Sequence, residues 1–418
     1  MKKIKILLIA IALVFITLNG YASGPSGSLP FAKPESVGMS SDRLTRIDHI
    51  LQQHIDKGDF SGAVSLVSRH GKIVHFKSFG LRDIEANQPM EKNTLVRIYS
   101  MTKPIVSAAL MMLHEEGKFQ LNDPVTKYIP QFKDLKVLED GYEVDPVRPM
   151  RIQHLFTHTA GFTYGFFGDS VIDKRYLEAG ILRTQATTKE FIEELAKIPL
   201  QTHPGERYHY SVAVDVQGYL VEVLSGMPLD QFLQQHIFDP LGMQDTFFEV
   251  PDDKEHRFAA NYNYNREKKK MELRDAPHTS KFVKEVTFFS GGGGLVSTAE
   301  DYWRFCQMML NEGVFNGQRL LGRKTVELMR SDHLPAALAD HDPHSNFGFG
   351  LGFRVIKNVP LTGAPGSIGD YSWGGAAGTI FWIDPEEDLV AVTMIQLRQS
   401  PYNLRREMHS LIYQAIVD

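Results

Sequence analysis

The chain has 418 residues, 43% hydrophobic and 23% charged, with a formal net charge of −5. That balance excludes disordered, collagen-like and coiled-coil classes, and the length supports a large core without staples. A single cysteine, Cys306, excludes an internal disulfide and any CxxC zinc or redox motif.

The N-terminus reads as a signal peptide over residues 1–23. Lys2, Lys3 and Lys5 form a basic start, and Ile6 to Leu18 is an apolar run broken only by Thr17. Those 13 residues are short of the roughly 20 needed to span a bilayer. An uncleaved anchor is the alternative reading. Cleavage near Ser23 removes three of the 45 basic residues and leaves 42 against 50 acidic ones, a net charge of −8. A net acidic chain without a basic tract is a poor nucleic-acid binder. Export without disulfides points to a bacterial periplasm or exterior.

Residues 24–39 read as an extended arm with Pro25, Pro30 and Pro34. Ser40 or Ser41 caps a helix with Leu44, Ile47, Leu51 and Ile55 at helical spacing. Gly62 to Gly80 alternates as two strands around a His70-Gly71 turn. Ser100 to Glu116 is a strongly apolar helix ended by Gly117. Residues 118–186 are mixed, and Thr187 or Thr188 caps a helix through Ile198. Ser211 to Leu224 is a further helix, ended by Gly226. Residues 245–275 read as short strands and loops, with Lys268-Lys269-Lys270 at a solvated turn. Ser297-Thr-Ala-Glu300 reads as a capping box that opens a helix through Leu310. Phe347 to Ile356 reads as one strand. Tyr371 to Ile383 and Leu389 to Leu397 read as a hairpin closed by Asp384-Pro-Glu-Glu-Asp388, and 402–417 as a C-terminal helix. Strands at both ends and helices between predict one sheet built from both ends of the chain. No internal repeat or composition break marks an independent domain.

Three segments carry chemistry. In Ser100-Met-Thr-Lys103 the two polar side chains lie three apart at a helix start, so they share a face. Apolar neighbours bury the lysine and disfavour its charged form. A neutral Lys103 would take the Ser100 proton and activate the hydroxyl as a nucleophile. Pro104 is tolerated only in a first helical turn, which puts Ser100 at the helix start. Taken alone, the segment reads as a capping serine and a solvated lysine. Tyr210-Ser211 precedes the second apolar helix. Its phenol would shuttle a proton to a leaving group, or be an ordinary half-buried hydroxyl. Trp373-Gly374-Gly375 enters a late strand, where glycine permits close backbone approach. The next N–H, on Ala376, would join that of Ser100 as an oxyanion hole; the plain alternative is a strand with a bulge.

The order SxxK, then Tyr-Ser, then a glycine-rich late strand resembles the serine β-lactamase and penicillin-binding-protein superfamily. Within it the chain looks most like class C β-lactamases and family VIII carboxylesterases. Supporting stretches are His154-Leu-Phe-Thr-His-Thr-Ala-Gly161, Pro204-Gly-Glu-Arg-Tyr-His-Tyr-Ser211, Gly291-Gly-Gly-Gly-Leu-Val-Ser-Thr298 and Trp373-Gly-Gly-Ala-Ala-Gly378. The resemblance runs from about residue 30 to 416 and implies an α/β (α+β) fold of the β-lactamase/transpeptidase type. That is an antiparallel sheet flanked by helices beside a mostly helical lobe, in a single catalytic domain over 24–418. The α/β lobe would take about 24–99 and 285–418, and the helical lobe about 100–284. It also implies Ser100 as nucleophile, Lys103 as base partner, Tyr210 as second proton-transfer residue, and Ser100 and Ala376 as oxyanion donors.

Two departures bear on substrate. Relatives that act on β-lactams usually carry Tyr-x-Asn; here Val212 stands at the asparagine position. They also carry a Lys-Thr-Gly-like third motif that holds a substrate carboxylate; here Trp373-Gly374 replaces both polar groups. Losing a charge-assisted hydrogen bond costs about 1.5–3 kcal/mol, and Trp373 offers an apolar face instead. The expectation is a serine hydrolase working through an acyl-enzyme on short- to medium-chain carboxylic esters, with Trp373, Gly374 and Gly375 against the substrate. No metal or cofactor is expected. The alternatives are a class C-like β-lactamase or D,D-peptidase, acyl transfer to an alcohol, and a non-catalytic wall-binding protein.

Other signals read as structural. His154 and His158 lie four apart but lack the glutamate of HExxH. His341-Asp-Pro-His344 reads as a polar loop. The Gly291–Gly294 run matches neither phosphate-binding pattern and reads as packing near the cleft. No serine sits in GxSxG. Asp215 would either buttress the site or face solvent.

Overall fold

The structure is a computed structural model and describes residues 29–182, 186–334, 338 and 347–418. The predicted leader, 1–23, and His341 to His344 lie outside the described residues.

The centre is an eight-stranded antiparallel sheet. Its strands are β1 (Gly62–Arg69), β2 (Lys72–Asp83), β3 (Gln88–Pro89), β4 (Phe347–Phe349), β5 (Arg354–Ile356), β6 (Tyr371–Gly374), β7 (Ile380–Asp384) and β8 (Leu389–Ile395). They lie in the order β4-β5-β6-β7-β8-β1-β2-β3, so the two halves of the chain join where β8 pairs with β1. Every residue of β1 and β8 is buried, because helices cover both faces. Strands covered on both faces read as continuous apolar runs.

The helices that place the site are α1 (Ser41–Asp56), α2 (Thr102–Glu115), α3 (Ala213–Ser225), α4 (Ala299–Leu310) and α5 (Leu404–Tyr413). Leu44, Ile47 and Leu51 of α1, with Met408 and Ile412 of α5, pack on one face of the sheet against Ala63, Val67 and Ala391. Val64, Leu66, Val390 and Val392 point to the other face and join α2, α3 and α4 in the larger core. Across that core the Trp303 Nε1–H of α4 donates to Ser68 Oγ at 2.7 Å. Helix α3 is tied to α2 by Ser107 and Gln217 (2.9 Å).

Most predicted elements appear with trimmed ends. Ser40 caps α1, Thr187 caps the Thr188–Leu195 helix, and Gly226 ends α3 in the left-handed conformation. His70 and Gly71 both have positive φ, as a two-residue hairpin turn of this type requires. Four readings are corrected. The Ser100–Glu116 helix begins as a 3-10 turn, Tyr99–Met101, before α2 proper. The α4 cap is Thr298, which accepts from the Asp301 N–H, one register later than the Ser297–Glu300 box. Phe347–Ile356 is two short strands, and Tyr371–Ile383 is itself a hairpin, β6 and β7. In both, glycines turn the chain where apolar continuity suggested a single strand: Gly352 and Gly378 have φ of 98° and 83°. The Trp373-Gly374-Gly375 segment therefore leaves a strand and does not enter one.

Candidate active site

Ser100 sits in the 3-10 turn that feeds α2, directly after a strained residue. Tyr99 has φ of 42°, a conformation costly for a bulky residue. Its surroundings hold it there. The Tyr99 hydroxyl accepts from Asn261 Nδ2 at 2.8 Å, and its ring meets Phe282 edge-on. The turn aims the half-exposed Ser100 side chain back over α2. Lys103, one turn on and 1% exposed, donates to Ser100 Oγ at 3.1 Å and to the Gly292 carbonyl at 2.6 Å. The Tyr210 hydroxyl donates to the same Ser100 Oγ at 2.7 Å. All three predicted side chains thus converge on one oxygen, although Tyr210 is 110 residues away in sequence.

Tyr210 is fixed by a ring of aromatics. His158, Tyr164, Trp373 and Phe167 have ring centres 4.7, 5.4, 5.5 and 5.9 Å from its own. His158 Nδ1 accepts the Ser211 N–H at 3.3 Å. Burial, then the Lys103 charge, holds this imidazole well below its ordinary range, so it stays neutral. His154 faces elsewhere, its Nδ1 accepting the Arg151 N–H. Val212 is fully buried at the start of α3. Lys103 Nζ lies over the rings of Tyr210 (4.6 Å) and Tyr164 (5.2 Å), contacts that favour a cation or a polarised amine.

Asp215 buttresses the site. It is fully buried, and its Oδ1 accepts from Ser290 Oγ (2.5 Å) and the Gly292 N–H (3.0 Å). Burial raises this carboxyl above its ordinary range, against the pull of Ser290 and Lys103. Gly292 is thus pinned from its N–H side while its carbonyl meets Lys103. A Cβ at Gly292 would lie 2.3 Å from Asp215 Oδ2 and 2.7 Å from the Tyr164 hydroxyl, so only glycine fits.

Gly374 ends β6, one residue after Trp373, and Gly375 starts the following turn. A Cβ at Gly375 would lie 2.4 Å from the Ile98 carbonyl, so this turn packs directly on the chain that leads to Ser100. Ala376 sits exposed on it. Neither its N–H nor that of Ser100 donates to a backbone acceptor among the described residues. Phe166 and Phe167 are 53% and 65% exposed, and with the Phe167 ring 5.9 Å from that of Tyr210 they form an apolar lip beside it.

Sequence reasoning passed over several of these groups. The Gly292 carbonyl belongs to a run that supports the resemblance and otherwise reads as packing near the cleft. The sequence marks His158 by a metal-ligand spacing that lacks its glutamate and by its place in the His154–Gly161 stretch, and neither points to contact with Tyr210. Tyr164-Gly-Phe-Phe-Gly168 lies inside the mixed stretch 118–186, although aromatics clustered between glycines are a visible signal. Among the described residues no three His, Cys, Asp or Glu side chains are grouped to hold a metal ion, and no helix is long and apolar enough to cross a membrane.

An antiparallel sheet flanked by helices, with a serine one turn ahead of a buried lysine, defines the β-lactamase/transpeptidase-like fold of serine hydrolases. The Beta-lactamase family model matches residues 47–414, and the chain belongs to that family. It is 37% identical over 365 residues to an uncharacterised Mycobacterium tuberculosis protein, covering 83% of this chain and 88% of that one. It is 31% identical to the esterase EstB of Burkholderia gladioli, covering 84% and 90%. Among solved structures it is similar to EstCE1, described as a hydrolase with promiscuous acyltransferase activity, at a TM-score of 0.77 and 27% identity over 90% of this chain and 99% of that one.

Proposed function

We propose that this serine hydrolase is a carboxylesterase acting on short- to medium-chain esters through an acyl-enzyme. The observation that carries the reading is Ser100 Oγ within hydrogen-bond reach of both Lys103 Nζ and the Tyr210 hydroxyl. Ser100 Oγ attacks the ester carbonyl as its one proton passes to Lys103 in the free-amine form and is relayed through the Tyr210 hydroxyl. The Ser100 and Ala376 N–H groups hold the oxyanion. The tetrahedral intermediate collapses, the C–O bond to the alcohol breaks, and the relay returns the proton to the departing alkoxide. A water then attacks the acyl-serine by the same route, releasing the acid and restoring the Ser100 hydroxyl. Apolar contacts support an ester over an anionic β-lactam. Val212 offers no amide to the substrate, Trp373-Gly374 offers no cation or hydroxyl, and Phe166 and Phe167 supply an apolar lip. Likeness to the esterase EstB points the same way. Export through the 1–23 leader to the periplasm or exterior is part of the proposal.

The test is hydrolysis of p-nitrophenyl butyrate and of nitrocefin by wild type and Ser100→Ala. Butyrate hydrolysis lost in the variant is expected; turnover of nitrocefin alone overturns the substrate assignment. Failure of a fluorophosphonate probe to label Ser100 would overturn the acyl-enzyme itself. A second reading, transfer of the acyl group to an alcohol in place of water, is favoured by the likeness to EstCE1. Product analysis with added alcohol separates the two.

A further inference from the structure

The relay gives no part to the His154–Gly161 stretch, yet one of its residues is built around Tyr210. After the short helix Ile152–Phe156 the chain turns, and His158 has φ of 53°. Apart from glycine, few residues other than asparagine, aspartate and histidine adopt that left-handed conformation. The His158 carbonyl accepts the His209 N–H at 2.8 Å, and Nδ1 accepts the Ser211 N–H at 3.3 Å. One residue therefore grips the backbone on both sides of Tyr210. A ring nitrogen that accepts here is unprotonated, so the neutral imidazole carries its proton on Nε2.

The ring backs the phenol as well. Its centre is 4.7 Å from that of Tyr210, and it meets Phe349 of β4 edge-on at 5.5 Å. Phe349 meets Trp373 edge-on at 5.3 Å, and Trp373 lies 5.5 Å from Tyr210. Four rings thus close a circuit that limits how the Tyr210 ring pivots. His158 is 1% exposed, so substrate does not reach it. Among the described residues its side chain bonds to Ser211 and makes no hydrogen bond to Ser100, Lys103 or the Tyr210 hydroxyl. Any part it has in the reaction therefore runs through Tyr210. A phenol oxygen stands far from its own backbone, so a small shift of the chain is magnified there. A misplacement of about 1 Å at a reacting group costs on the order of a hundredfold in rate.

We propose that His158 is a positioning residue for the proton relay: it holds the 209–211 backbone and the Tyr210 ring so that the hydroxyl meets Ser100 Oγ at 2.7 Å. The assignment rests on the Ser100, Lys103 and Tyr210 relay. It makes two demands on the side chain at this position, an acceptor where Nδ1 stands and tolerance of a left-handed backbone. Asparagine meets both and lacks only the ring; leucine fills space and meets neither.

The experiment is a double-mutant cycle with p-nitrophenyl butyrate, read as kcat and KM, with a circular dichroism melt as the folding control. His158→Leu should lower kcat about a hundredfold with KM unchanged, and His158→Asn only about fivefold. On a Tyr210→Phe background no hydroxyl is left to place, and His158→Leu should cost less than about threefold more. A residue that merely stabilises the fold would lower kcat by the same factor on both backgrounds, and that result overturns the proposal. So does a His158→Leu variant with more than about a third of wild-type kcat, or a His158→Asn variant no better than it. Should His158→Leu fold poorly, the cycle is run with His158→Asn. Its loss should vanish on the Tyr210→Phe background, and an equal loss on both backgrounds, or none on either, overturns the proposal. Tyr210→Phe keeping more than about a tenth of wild-type kcat removes the relay, and this role with it. Additive losses while Tyr210→Phe is itself nearly inactive remove the His158 role alone.

Discussion

Tyr210→Phe separates a proton relay from a mere hydrogen bond. The change deletes one oxygen, which donates to Ser100 Oγ at 2.7 Å, and keeps the ring among His158, Tyr164, Phe167 and Trp373. No cavity larger than the hydroxyl is created, so the melting temperature should stay within a few degrees. If the phenol only positions the serine, its loss removes one neutral hydrogen bond, about 0.5–1.5 kcal/mol. That corresponds to at most roughly tenfold in rate. If it carries the proton, the loss is that of a general acid–base group, about 10²- to 10⁴-fold or roughly 3–5.5 kcal/mol. The assay is kcat and KM for p-nitrophenyl butyrate, with the circular dichroism melt as the folding control. The expected result is a kcat down at least about a hundredfold with KM little changed. A well-folded variant that keeps more than a tenth of wild-type kcat refutes the relay.

Three further outcomes are expected. Gly292→Ala forces a methyl to within 2.3 Å of Asp215 Oδ2; it should pull the carbonyl off Lys103, cost about 1–3 kcal/mol in stability and lower kcat/KM more than Gly293→Ala does, and equal effects count against the Gly292 contact. Phe167→Ala should lower kcat/KM for an octanoate ester about fivefold more than for acetate, at about 0.8 kcal/mol per buried methylene; a uniform loss across chain lengths removes the lip from the acyl path. Asp370 is ionised in the unfolded chain above about pH 4, but in the folded protein burial keeps its proton up to about 8. Folding therefore takes up a proton between those values, and the contribution is present below pH 4 and lost as pH rises to 8. The melting temperature of Asp370→Asn relative to wild type should rise between about pH 5 and pH 8; a difference that does not change with pH contradicts the shift.

Some of this was written locally in the chain. Ser100 and Lys103 meet because residues three apart on a helix start share a face, and periodicity alone predicts that. Caps and turns at Ser40, Thr187, His70-Gly71 and Gly226 were legible for the same reason: each is decided within a few residues. Where two local rules competed, sequence reading failed. Apolar continuity through Tyr371–Ile383 hid the turn at Gly374 to Gly378, since a strand buried on both faces and a buried hairpin have the same composition.

The remainder of the site depends on long-range packing. The docking of α3 on α2 sets the Tyr210 hydroxyl 2.7 Å from Ser100. Only burial decides that Asp215, which spacing left open between solvent and site, turns inward to hold Gly292. Strand register and the close approach of Gly374 bring Arg405 beside β6 and leave Asp370 without a partner. Such contacts join residues tens to hundreds of positions apart, and their geometry comes from how helices and sheet pack together, which no local pattern of side chains encodes.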